Sequence, residues 1–127
     1  MQNTSLSDAK LIRPRFDGAI FQNSHVNNSE FRDATFVNAD LRGTEFAFAR
    51  LTGHVNFRDA KLGGAAFKTS TLDNPDFTNA NLVYVDFGDS VLNNPKFGDT
   101  LIDKNNSYEL LAEHPKRGEF SCAGRRG

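Results

Sequence analysis

The chain has 127 residues, a net charge of −1 and 38% hydrophobic residues, with 12 Phe, one Met and no Trp. That length points to one domain, and near-neutrality excludes a polyanion or a nucleic-acid binder that works through bulk charge. No apolar run reaches the length of a membrane span, and a single cysteine, Cys122, excludes an intrachain disulfide.

Large apolar residues recur at every fifth position: Leu6, Leu11, Phe16, Phe21, Val26, Phe31, Phe36, Leu41, Phe46 and Leu51. After one step of six, the series resumes at Phe57, Leu62, Phe67, Leu72, Phe77, Leu82, Phe87, Leu92, Phe97 and Ile102. Ten of the 12 Phe fall in it. Two positions before each of these residues stands a small or compact one, such as Ala9, Pro14, Ala19 or Ser24. An α-helix needs spacings of three and four, and a strand alternates with period two, so neither fits. The pattern predicts one corner per five residues, with two side chains turned inward and three facing water. Four sides close a coil of twenty residues, and the Gly, Asn, Asp and Pro of the spacers suit the repeated turns.

The run from Ala34 to Gly43, with Ala60-Lys61-Leu62 and Ala80-Asn81-Leu82, resembles the pentapeptide-repeat family, whose motif is A-(D/N)-L-x-x. The resemblance covers Thr4 to about Lys104. It implies an all-β fold, a right-handed parallel quadrilateral β-helix of about five coils. The expected organisation is a β-helix over residues 1–104, a short C-terminal capping helix over 105–115 and a flexible tail over 116–127.

With a twenty-residue coil, like sits over like. The first side carries Leu6, Val26, Phe46, Phe67 and Phe87; the second carries Leu11, Phe31, Leu51, Leu72 and Leu92. The third is an unbroken phenylalanine column, Phe16, Phe36, Phe57, Phe77 and Phe97, and the fourth carries Phe21, Leu41, Leu62, Leu82 and Ile102. Each buried side chain contributes ~1.5–3 kcal/mol, which offsets ordering entropy in a chain with little other hydrophobicity. Pro14, Pro75 and Pro95 all fall at the corner entering the third side, so several coils tolerate a missing N–H there. The step of six makes Thr52 to Asn56 a bulge, with Gly53 as its pivot. Beyond Ile102, Tyr108 to His114 reads as a helix, capped by Asn106 or Ser107 and stopped by Pro115, which places Leu110 and Leu111 over the last coil. The N-terminal end shows no such cover.

No catalytic, cofactor-binding or metal-binding residues are assigned. His25, His54 and His114 lie far apart in the register, no metal-ligand spacing occurs, and a filled solenoid has no internal pocket. The outward column Asn38, Asp59, Asn79, Asp99 is read as turn chemistry rather than a cation row. Lys10, Glu30 and Arg50 share a column, Asp40 lies under Lys61, Asp76 under Lys96 and His25 under Glu45, which predicts cross-coil charge pairs. From Ala9 to Lys68 there are nine Lys/Arg and six Asp/Glu, whereas from Thr69 to Asp103 there are six Asp and one Lys. Ile20, Phe48, Val83, Tyr84 and Val91 are apolar in outward register. Phe48 and Tyr84 are the large ones, and with Asp86 and Asp89 of the acidic half they form the candidate interaction surface.

The expected function is a non-catalytic protein-interaction or scaffolding solenoid. Its partner is a protein; no small-molecule substrate, cofactor, nucleic acid or membrane is expected, and the state is a monomer or an end-to-end dimer. The resemblance also implies an alternative, a DNA-mimicking, gyrase-interacting protein of the quinolone-resistance type. Those members are strongly acidic rods, however, and this chain is near neutral and half basic. The repeat starts within the first few residues, so the expected location is the cytoplasm, or a lumen or periplasm for a chain trimmed from a precursor.

Overall fold

The computed structural model describes residues 5–102 and 120–122. From Ser5 to Ile102 the chain winds as a right-handed parallel β-helix with four sides per coil. On the second side the stacked segments are regular strands: β1 (Lys10–Ile12), β2 (Glu30–Arg32), β3 (Arg50–Thr52), β4 (Thr71–Asp73) and β5 (Val91–Asn93). They form one five-stranded parallel sheet in chain order. The register is the twenty-residue step, as in Leu11↔Phe31 and Leu72↔Leu92, and it lengthens by one only at Leu51↔Leu72. The other three sides stack through isolated parallel bridges of the same step, such as Arg15↔Thr35, Ile20↔Asp40 and His25↔Glu45, and each lengthens by one across the bulge, at Thr35↔Asn56, Asp40↔Lys61 and Glu45↔Ala66.

The corners follow from the spacer residues. After sides three and four, the N–H three residues past each described core residue donates back to its carbonyl, as Ala39 does to Phe36 and Thr44 to Leu41, both at 3.1 Å. After side one Ala9, Ser70 and Ser90 do the same, whereas Ala49 N donates to Ser70 Oγ. The third residue of each such turn is left-handed, a conformation Asn, Asp and Gly adopt at low cost: Asn38 has φ 61° and Gly43 φ 70°. The corner after the second side differs. Arg13, Asp33, Asn74 and Asn94 are left-handed there too, but the closing bond is absent in every described coil, including the one where Ala34 has an N–H to give. Pro14, Pro75 and Pro95 stand where that donor would be. Proline is therefore accepted at this corner because the corner is open by geometry.

The interior is filled. Phe36, Phe57 and Phe77 stack with centroids 5.1 and 5.2 Å apart, and Phe97 continues the stack at 5.6 Å. A second stack runs through Phe46, Phe67 and Phe87 at 4.7 and 5.5 Å. The two meet edge to face, Phe57 against Phe67 at 5.8 Å and 79°, the preferred geometry for aromatic neighbours. Ser or Thr at the compact position is buried without penalty because its hydroxyl bonds a main-chain carbonyl of the coil below: Thr44 to Phe21 and Thr100 to Phe77 at 2.7 Å, and Ser70 to Phe46.

The extra residue sits where the sequence places it. Gly53 has φ 75°, and a Cβ there would collide with the Asp33 carboxylate. That carboxylate accepts from His54 N at 3.1 Å, and Asn74 Nδ2 donates to Gly53 O at 2.7 Å, so the bulge is tied to the coil on either side.

In the first coil Leu6 and Phe16 are half-buried, and Leu11 is 36% exposed where Phe31 and Leu51 above it are at 1% and 0%. The expected capping helix over 105–115 lies outside the described residues. Phe120–Cys122, expected in a flexible tail, is instead strand β7, paired in parallel with β6 (Thr100–Ile102) through Ile102↔Cys122. That pair is again twenty residues apart, so the stacking register returns after the intervening segment.

Candidate interaction surface

The four residues singled out in the sequence lie around the first side. Asp86 points outward on it, in the column of Ser5, His25, Glu45 and Ala66. Its carboxylate accepts from Gly88 N at 2.8 Å, closing a local turn. Tyr84 occupies the corner before this side and Asp89 the corner after it, so these three flank buried Phe87 in one coil. Phe48 shares Asp89's corner column but lies two coils away, ~10 Å at the usual spacing of stacked strands, with Thr69 between. The structure thus brings Tyr84, Asp86 and Asp89 together and places Phe48 apart from them. Phe48 is 61% exposed at φ 57°, and Tyr84 is 74% exposed at φ 66°. Corner positions elsewhere in these two columns hold Asp8, Asn23, Asn28, Gly43 and Gly64. An aromatic ring there is left-handed at a cost of ~1–2 kcal/mol, which folding alone does not require.

The charged columns stack as expected, but several ion pairs form elsewhere. His25 Nδ1 lies 3.0 Å from Glu45 Oε1, as the register predicts. Asn27 Nδ2 also donates to Glu45, and these two hydrogen bonds, Asn27 first, hold the Glu45 carboxyl below its ordinary range. Asp40, by contrast, pairs with Arg42 at 2.7 Å rather than with Lys61. The reason is alternation: residues two apart on one side project the same way, so Arg42 sits beside Asp40 across Leu41. Hydrogen bonds from Arg42, and then from Gln22, lower the Asp40 carboxyl to about 2 against the opposing effect of burial. Asp76 pairs diagonally with Arg58 at 3.5 Å; burial raises its carboxyl, but bonds from Thr78 and the Arg58 charge bring it below the ordinary value. No ion pair joins Lys10, Glu30 and Arg50, although they stack in register.

The Asn38, Asp59, Asn79, Asp99 column is left-handed throughout, and Asn79 Nδ2 donates to Asp59 Oδ1 at 2.9 Å. It is a corner ladder. Among the described residues no group of three His, Cys, Asp or Glu is placed to hold a metal, and no helix is long and apolar enough to cross a membrane.

Two exposed apolar residues escape the sequence reading: Ile12 at 71% and Leu101 at 38%. Ile12 follows a core leucine directly, so alternation alone puts it outside; the five-residue series draws the eye to Leu11. Ile12 edges a depression of about 440 Å³ on the outer face of β1 to β3, lined by Lys10 to Ile12, Glu30 to Arg32, Arg50 and Thr52.

The pentapeptide repeat region family matches residues 29–107. Among solved structures, a pentapeptide repeat protein from the thylakoid lumen of Arabidopsis thaliana is 26% identical with a TM-score of 0.64, covering 87% of this chain and 76% of its own. A pentapeptide repeat protein from the cyanobacterium Cyanothece is 19% identical with a TM-score of 0.48, over 82% of this chain and 87% of its own. A trypsin-treated form of a plasmid-mediated fluoroquinolone resistance protein is 22% identical with a TM-score of 0.44, over 74% of this chain and 53% of its own. No curated protein matches the chain significantly in sequence.

Proposed function

Because this chain belongs to the pentapeptide repeat family, we propose that it works without catalysis, as a rigid docking element for a protein partner. The carrying observation is the pair of exposed aromatic rings on left-handed corners, Phe48 and Tyr84. Most left-handed corners hold Asn, Asp or Gly, with Arg13 and Thr69 the polar exceptions; a large ring held out to water at that cost has a use on the surface. Tyr and Phe are also the residue types that anchor interfaces. Tyr84, Asp86 and Asp89 lie around one side of one coil, and Phe48 stands two coils away in the corner column of Asp89, a second anchor point on the same flank. The filled interior supports the same reading, since Phe57, Phe67 and Phe77 leave no room for a substrate inside the coil. Co-purification from the native source, followed by mass measurement of the assembly, tests it. The expected result is a stoichiometric protein partner whose capture weakens in a Phe48→Ala, Tyr84→Ala double variant. Recovery of no partner overturns it.

A second reading rests on the charge of the later coils, where six Asp face Lys96 alone between Thr69 and Asp103. An acidic stretch of this kind suits mimicry of a nucleic-acid backbone, with gyrase as the target. A supercoiling assay in which the protein neither inhibits nor protects gyrase removes it.

A further inference from the structure

We propose that the depression on the outer face of β1 to β3 is a docking site for an extended acidic segment of a partner protein, carrying an apolar side chain between carboxylates. This deepens the interaction reading above and rests on it.

Charge selects the partner. Lys10, Arg32 and Arg50 rim the depression, with Glu30 the one acid among them. Among the described residues none of the four takes part in an ion pair or a side-chain hydrogen bond. Elsewhere on the rod Arg42 is engaged by Asp40, Arg58 by Asp76 and Arg15 by Asp17; among the described residues Arg13, Lys61, Lys68 and Lys96 form no ion pair either, but none of them lines this depression. The second side of the first three coils therefore keeps an excess of positive charge that no carboxylate of its own answers.

Apolar surface supplies the rest. Ile12 is 71% exposed beside these cations, on the outer face of β1. A leucine or valine of the ligand laid on Ile12 removes it from water. Its neighbouring carboxylates then reach Lys10 on one strand and Arg32 and Arg50 on the next two. The rim spans three strands, ~10 Å at the spacing of paired strands, which an extended backbone crosses in three or so residues. Glu30 stands among the cations and sets a ceiling on affinity.

The test uses the full chain and a fluorescein-labelled peptide Asp-Asp-Leu-Asp-Asp, with Lys-Lys-Leu-Lys-Lys as control, read by fluorescence anisotropy. The acidic peptide should bind saturably and weaken about tenfold on raising salt well above physiological strength, as exposed charge pairs do. Arg50→Glu and Ile12→Asp should each weaken binding about tenfold, and Glu30→Gln should tighten it severalfold. Asp86→Asn, on another side, should leave it unchanged; circular dichroism verifies that every variant is folded. Equal binding of the lysine peptide, or binding indifferent to Arg50→Glu and Ile12→Asp, overturns the proposal. So does sedimentation showing that a second copy of the chain fills the site, with self-association lost in the same variants. If a partner is recovered from the native source by wild-type, Arg50→Glu and Ile12→Asp proteins alike, this site is wrong and the interaction reading stands.

Discussion

Phe57→Ala tests the packing on which the whole rod depends. Phe57 is fully buried at mid-stack, with Phe36 5.1 Å below, Phe77 5.2 Å above and Phe67 edge-on at 5.8 Å. Returning its ring to water costs ~1.5–3 kcal/mol, and each of the three aromatic pairs adds ~0.5–1.5 kcal/mol beyond area. The coils above and below are held in place by their own ladders, so the cavity cannot collapse fully; the pair and area terms overlap rather than add in full, and the expected loss is the ~3–5 kcal/mol usual for a buried Phe→Ala change. Phe16→Ala provides the internal comparison. Its ring stacks on Phe36 at 5.2 Å and meets Phe21 and Phe31 at 5.1 and 5.8 Å, but it is partly exposed where Phe57 is fully buried, so its loss should cost less. Without tryptophan, the assay is equilibrium urea unfolding followed by far-ultraviolet circular dichroism. The midpoint should fall with little change in slope if the rod unfolds as one unit. A loss under ~1 kcal/mol for Phe57→Ala, or a larger loss for Phe16→Ala, would refute the stacked register and its nearest-neighbour energetics.

Replacing Phe48 or Tyr84 by Asn should leave the melting temperature unchanged or raise it by a few degrees, since each side chain is exposed and left-handed and Asn relieves ~0.5–1 kcal/mol; a fall of several degrees by thermal denaturation would show that the rings serve the fold. Asp40, lowered to about 2 by Arg42, binds its proton more weakly folded than unfolded, so its contribution is full above about pH 4 and vanishes as pH falls through 2. The melting-temperature gap between wild type and Asp40→Asn should therefore close over that range, and a gap that persists at pH 2 would contradict the pairing.

Much of the candidate surface was legible because a strict period reports which way a side chain points. Phe48, Tyr84, Asp86 and Asp89 are all outward, as their positions between core residues require. Their grouping was less legible: the register alone puts Tyr84, Asp86 and Asp89 in one coil, but only the stacked structure shows how far Phe48 lies from them. Ile12 adjoins a core leucine, so the five-residue series hides it, and its significance comes from the cations beside it on the next two strands. Asp40 and Asp76 stack under lysines yet bond to arginines, because a long guanidinium reaches along the side or diagonally while register describes only the column.

By itself the sequence determined the five-residue corner, the four sides, the phenylalanine column and the place of the bulge. Each of these is a statement about which side chains must leave water, and that is written in residue identity and spacing. Tertiary structure alone decided that the corner after the second side is open, how far Leu11 is exposed, which arginines Asp40 and Asp76 pair with, and that Phe120–Cys122 rejoins the stack. The period names which residue lies one coil away, but bond geometry and side-chain reach are fixed only when the coils are closed.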